Sequence, residues 1–208
     1  MKKAIAAVIL LLPLIAFAQD KPDALELYRT GKYAEAAVVC QQELVETPKN
    51  VDSYVVLGWS YLKLNKNQDA VTTARKGLEV APNDPRLIQI VGEGDVFLGR
   101  IDEALVNLED YVALRSGGDR IARVYWLMGE CYISLREYQN ADIAISAALY
   151  FEPNNPSSAS WWARLGYARE MAQDWKRSQE AYSRALTIDP GLADALQGKQ
   201  RVDKKLGG

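Results

Sequence analysis

The chain has 208 residues, 49% hydrophobic and 25% charged, with a formal charge of -2. That balance describes an ordered chain rather than a disordered one, and the lack of a basic excess argues against nucleic acid as a partner. There is no histidine, which removes Ser-His-Asp and Cys-His catalysis and the commonest transition-metal ligand.

The first predicted element is a targeting segment. Lys2 and Lys3 precede an apolar run from Ala4 to Ile15, interrupted only by Pro13, and Ala16-Phe17-Ala18 has the small-x-small form of a cleavage site. The run is short against the roughly 20 apolar residues that a membrane span needs. The expectation is a signal peptide over residues 1–18, cut after Ala18, with an uncleaved anchor as the alternative. No cysteine stands near the cut, so a lipid-anchored form is not expected. Cleavage removes two lysines and leaves a charge of -4. No second long apolar stretch follows, so no integral span is expected in the mature chain. The predicted location is the periplasm of a bacterium.

Beyond the signal, the chain repeats itself. Gly58 and Gly92 are 34 residues apart, and Gly92, Gly129 and Gly166 follow at intervals of 37. A second column of small residues runs through Ala36, Ala70, Ala104, Ala141 and Ser178. A third closes four units with Pro48, Pro82, Pro153 and Pro190, with Ser116 in the remaining place. Helical pairs are predicted over 51–84, 85–118, 122–155 and 159–192, after a first unit over 19–50 whose front is trimmed. Glycine in a helix costs about 1 kcal/mol of propensity, so its recurrence implies a close helix approach that offsets the loss. Gly31 and Gly99 fall at turns, where a left-handed residue ends a helix. The prolines stop the second helices. Leu44, Leu78, Val112, Leu149 and Leu186 form an apolar row expected between hairpins.

Tyr54-x-x-Leu57-Gly58-x-x-Tyr61, Tyr125-x-x-Met128-Gly129-x-x-Tyr132 and Trp162-x-x-Leu165-Gly166 open three of the units. These columns resemble the tetratricopeptide repeat (TPR) family over nearly all of the chain after the signal. The resemblance implies an all-α fold, a right-handed superhelical solenoid of about five helix-turn-helix units. Residues 193–208 read as a C-terminal capping helix with a polar outer face, which a solenoid needs to cover its last hairpin. Two three-residue insertions break the period, around Ser116-Gly117-Gly118-Asp119 and at Ser157-Ser158. Both predict longer loops between units, and the Gly-Gly pair also allows a hinge.

The repeat frame reassigns several motif-like stretches. Gly92-Glu93-Gly94-Asp95-Val96-Phe97-Leu98-Gly99-Arg100 looks like a phosphate loop, but such a loop needs a strand before it and a helix starting at it. Here Gly92 is the packing glycine and Gly99 the turn glycine. Ser60-Tyr61-Leu62-Lys63 matches S-x-x-K but lacks its K-T-G and S-D-N companions, and Ser60 lies in a small-residue column. Glu93 and Asp95 stand two apart and do not share a helix face; Asp95 is expected to bond Arg100 or Arg123. Cys40 and Cys131 fall in units that do not touch, so they read as small core residues, not a disulfide. No catalytic set, metal site or cofactor motif emerges.

The TPR resemblance also implies that the first helices line a concave face. The predicted partner-binding residues are Tyr28, Val55, Trp59, Leu62, Lys63, Gln89, Glu93, Phe97, Trp126, Glu130, Ile133, Tyr167, Glu170 and Met171. The set is rich in aromatic anchors and apolar surface; the alternative is that several of these residues pack against the neighbouring unit or the C-terminal helix. Glu93, Glu130 and Glu170 add negative charge, which predicts a ligand with apolar side chains and a Lys or Arg. The family's clamp for a terminal carboxylate uses Asn after the packing glycine; here Leu25, Trp59, Glu93, Glu130 and Tyr167 stand there, so that ligand is not expected. The sequence reading is a non-enzymatic interaction scaffold of the bacterial envelope that binds another envelope protein or a peptide segment in its groove. The alternative is a binder of a small apolar molecule or lipid.

Overall fold

The computed structural model describes residues 22–115 and 117–207; the expected signal peptide and Ser116 lie outside them. Eleven helices and no strand occur among the described residues. They form five antiparallel pairs: α1 (Ala24–Arg29) with α2 (Tyr33–Glu46), α3 (Val51–Lys63) with α4 (Asn67–Val80), α5 (Pro85–Phe97) with α6 (Ile101–Leu114), α7 (Ile121–Ser134) with α8 (Tyr138–Phe151), and α9 (Ser158–Met171) with α10 (Trp175–Ile188). A single helix, α11 (Ala193–Leu206), closes the array.

The boundaries follow from local chemistry. Asp23, Asn50 and Asp84 cap α1, α3 and α5 by accepting backbone N–H groups of the first turn, and Pro85 occupies the first turn of α5, where its missing N–H is harmless. Each pair turns through one left-handed residue. Gly31 and Gly99 fill that place as the sequence predicts, with φ of 81° and 74°. Asn65, Arg136 and Gln173 fill it in the other three pairs, with φ of 57°, 63° and 63°.

The pairs stack so that each second helix packs against the next first helix, while α1 meets α3, α3 meets α5, α5 meets α7 and α9 meets α11. First helices therefore form one layer of a superhelical solenoid. The packing glycines sit where that stacking is tightest. A Cβ on Gly92, Gly129 or Gly166 would lie 2.9, 2.4 or 2.7 Å from Leu108, Ile145 or Tyr182 of the paired helix. Gly58 differs. Its paired helix offers the small Ala74 at the matching position, and Ile90 of the next unit fills the space at 3.0 Å. Ala36, Ala70, Ala104, Ala141 and Ser178 are fully buried. Cys40 and Cys131 are buried and free, and burial pushes their thiols up to about 12 and about 11.

The loops at 115–120 and 152–157 are longer than those at 47–50, 81–84 and 189–192, as the insertions predict. At the C-terminal end α11 packs on α10 and α9 through buried Ala195, Gly198 and Val202. Leu196 of the same helix is exposed.

Candidate functional site

A groove of about 450 Å³ runs along the first-helix layer between α1 and the start of α9. It gathers six of the predicted residues: Tyr28, Trp59, Leu62, Lys63, Glu93 and Phe97. Phe97 is half exposed. The groove wall is aromatic and cationic. Tyr28 lies 5.8 Å from Trp59 between ring centroids, and the Arg120 guanidinium sits 4.1 Å over the Trp59 ring, a cation–π distance. Arg120 also donates to the Tyr28 hydroxyl at 3.4 Å. The loop before the fourth unit thus reaches back to the first two units across the curve of the solenoid.

The sequence frame missed Asn65, Arg120, Arg123, Asn155, Ser157 and Trp161, which complete the lining. Arg120 ends one inserted loop, and Asn155 and Ser157 belong to the other. The insertions, read as plain loops or a hinge, supply groove surface. Their signal was in the sequence as a broken period, but periodicity cannot tell which way a loop faces.

Other predicted residues stand elsewhere. Val55 is 1% exposed and packs with Ala74, Leu87 and Val91, so it has no surface to offer. Gln89 is fully buried; it accepts from the Trp59 indole at 3.2 Å and donates to Glu93. It positions Trp59 rather than lining the groove. Trp126 stacks on buried Trp161 at 5.2 Å and joins the packing between α7 and α9, where Ile133 also packs. Tyr167 contacts Tyr138 edge-on and Arg164 through its ring face. Met171 is exposed beyond the groove lining.

The three glutamates correct the predicted electrostatics. Each is taken by an arginine of the next unit's first helix, or of α11. Glu93 accepts from Arg123 at 2.9 and 3.2 Å, Glu130 from Arg164 at 2.7 and 2.8 Å, and Glu170 from Arg201 at 2.7 and 2.8 Å. The Glu130 and Glu170 pairs are bidentate forks, Arg123 meets a single Glu93 oxygen, and the three form a ladder that fixes one unit on the next. Glu170 is 5% exposed and also accepts from the Tyr182 hydroxyl at 2.7 Å. Burial raises its pKa, but the Arg201 and Tyr182 hydrogen bonds outweigh that and hold it below the usual carboxylate range. The acids therefore present no free negative charge for a basic ligand.

The enzyme-like motifs resolve as packing. Ser60 is fully buried and donates to the Val56 carbonyl. Asp95 is fully buried and pairs with Arg75 and Arg100, while Glu93 faces Arg123, so the two carboxylates do not converge. Gly92 and Gly94 lie inside α5. Among the described residues no group of three or more Cys, Asp or Glu is placed to hold a metal.

Residues 51–84 and 122–155 match the tetratricopeptide repeat model. The chain carries TPR repeats. Two curated relatives are also TPR proteins: tetratricopeptide repeat protein 21B of Mus musculus, 24% identical over 59% of this chain, and tetratricopeptide repeat-containing protein trd-1 of Caenorhabditis elegans, 26% identical over 65%. The chain spans 9% and 16% of their lengths. Among solved structures, YrrB, described as a TPR protein with an unusual peptide-binding site, superposes with a TM-score of 0.68 at 19% identity, over 85% of this chain and 88% of that one. That likeness establishes the TPR superhelical fold.

Proposed function

We propose that this chain is a non-enzymatic protein-interaction scaffold of the bacterial cell envelope, which holds a segment of a partner protein in the groove between α1 and α9. One observation carries the reading: the groove joins half-exposed Phe97 to an Arg120–Trp59 stack, on a rigid layer of first helices. Large apolar and aromatic anchors with fixed polar groups around them suit a protein segment. The positive lining disfavours the alternative of a small apolar molecule or lipid. The envelope location rests on Lys2-Lys3, the apolar run and Ala16-Phe17-Ala18.

Photo-crosslinking in cells from positions 59 and 97, with position 143 on the outer helix α8 as the control, tests the scaffold reading. One envelope protein captured from both inner positions and not from 143 is the expected result; equal capture from all three would contradict it. N-terminal sequencing of the exported chain tests the location, with Gln19 as the expected first residue.

A further inference from the structure

The chain is acidic as a whole, at -2, yet its groove is not. Lys63, Arg120 and Arg123 line it against one carboxylate, Glu93. Arg123 and Gln89 already occupy that carboxylate. Lys63 and Arg120 have no carboxylate partner among the described residues. Arg120 is also held in place: its guanidinium sits 4.1 Å over the Trp59 ring, and it reaches Tyr28 at 3.4 Å. A stacked guanidinium has fewer rotamers to lose when its remaining N–H groups meet an acceptor. A concave wall of one sign focuses potential toward the opposite charge.

We infer that the groove takes an acidic segment of its partner protein, with a side-chain carboxylate seated on Lys63 and Arg120 and an apolar side chain against Phe97 and Leu62. This rests on the groove being the binding site, and it reverses the basic ligand that the glutamates suggest in the sequence. Sign complementarity of this kind fixes partner choice and speeds association.

The test is fluorescence anisotropy with the full chain and four short labelled peptides of one length. The first alternates Glu with Leu and has an amidated C-terminus; the second replaces each Glu with Gln, the third with Lys; the fourth is the Gln peptide with a free terminal carboxylate. The amidated Glu peptide should bind at least about tenfold more tightly than its Gln counterpart, and the gap should shrink as salt rises. Lys63→Glu, an exposed change that leaves the packing alone, and the uncharged Arg120→Gln should each close most of that gap. If the Gln or Lys peptide binds as well as the Glu peptide, and competes at Trp59, the acidic partner is wrong while the groove stands. If the free-terminus Gln peptide matches the Glu peptide, a terminal carboxylate is the ligand and the side-chain assignment falls. Failure of all four overturns the inference, and crosslinking from positions 59 and 97 then decides the groove itself.

Discussion

The two ends of the first-helix layer treat one repeat position in opposite ways. At the C-terminal end, one concave residue of α9, Glu170, is sealed in. The Tyr182 ring lies between Gly166 of α9 and Gly198 of α11, where added Cβ atoms would stand 2.7 and 2.1 Å from it. Its hydroxyl binds Glu170, which Arg201 of α11 holds in a fork. At the N-terminal end, Tyr28 and Leu62 stand in the column of Glu170 and line the groove, and Arg120 is drawn in from a loop. A column position in a repeat is thus not a site in itself. It becomes core where the next unit supplies a covering helix or a paired charge, and stays open where the units diverge.

The sealed end should be the more fragile to substitution. Tyr182→Ala empties the space between two glycines and should cost about 3–5 kcal/mol, read as a lower denaturation midpoint with early loss of amide protection in α11. Arg201→Ala leaves buried Glu170 with only Tyr182 as a partner and should cost roughly 2 kcal/mol. Acid should act there and at the start of α5. Glu170 and Asp84 both have pKa values held below the usual range, each against the opposing push of burial: Glu170 by Arg201 and Tyr182, Asp84 by Arg86 and backbone N–H groups. Their stabilisation is complete above the unfolded carboxylate range of about 4 and drains away as pH falls through the folded values. Thermal melts should therefore drop below about pH 4, and Glu170→Gln should flatten that drop. At the open end, Lys63→Glu should change stability by no more than about 0.5 kcal/mol while weakening binding of an acidic peptide.

The repeat columns were legible because one residue type per column answers one steric demand. Gly92, Gly129 and Gly166 must admit a large side chain, and Ala70 and Ala104 must vanish into the core. The turns were legible only where glycine marked them. Arg136 and Gln173 adopt the same left-handed conformation with side chains that carry no such signal, at a cost the surrounding helices impose, and Asn65 does so with the one side chain of the three that favours it. The site was half legible. The TPR resemblance, not periodicity, put Trp59, Phe97 and Lys63 on the concave face. The Glu–Arg ladder could not be read, because each pair joins residues 30 to 34 apart on different helices, and a single helix face shows only one partner. Arg120 stood in an insertion, outside the frame altogether. The sign of the groove was misread for that reason.

The indole N–H signals of the five tryptophans give the most direct test of an open N-terminal site. In a ¹H–¹⁵N spectrum of the full chain titrated with the amidated Glu–Leu peptide, the Trp59 signal, whose N–H now bonds Gln89, should shift, and Trp175 beside α11 should not. A shift confined to Trp175, with Trp59 unmoved at saturation, would place binding at the sealed end and contradict the account.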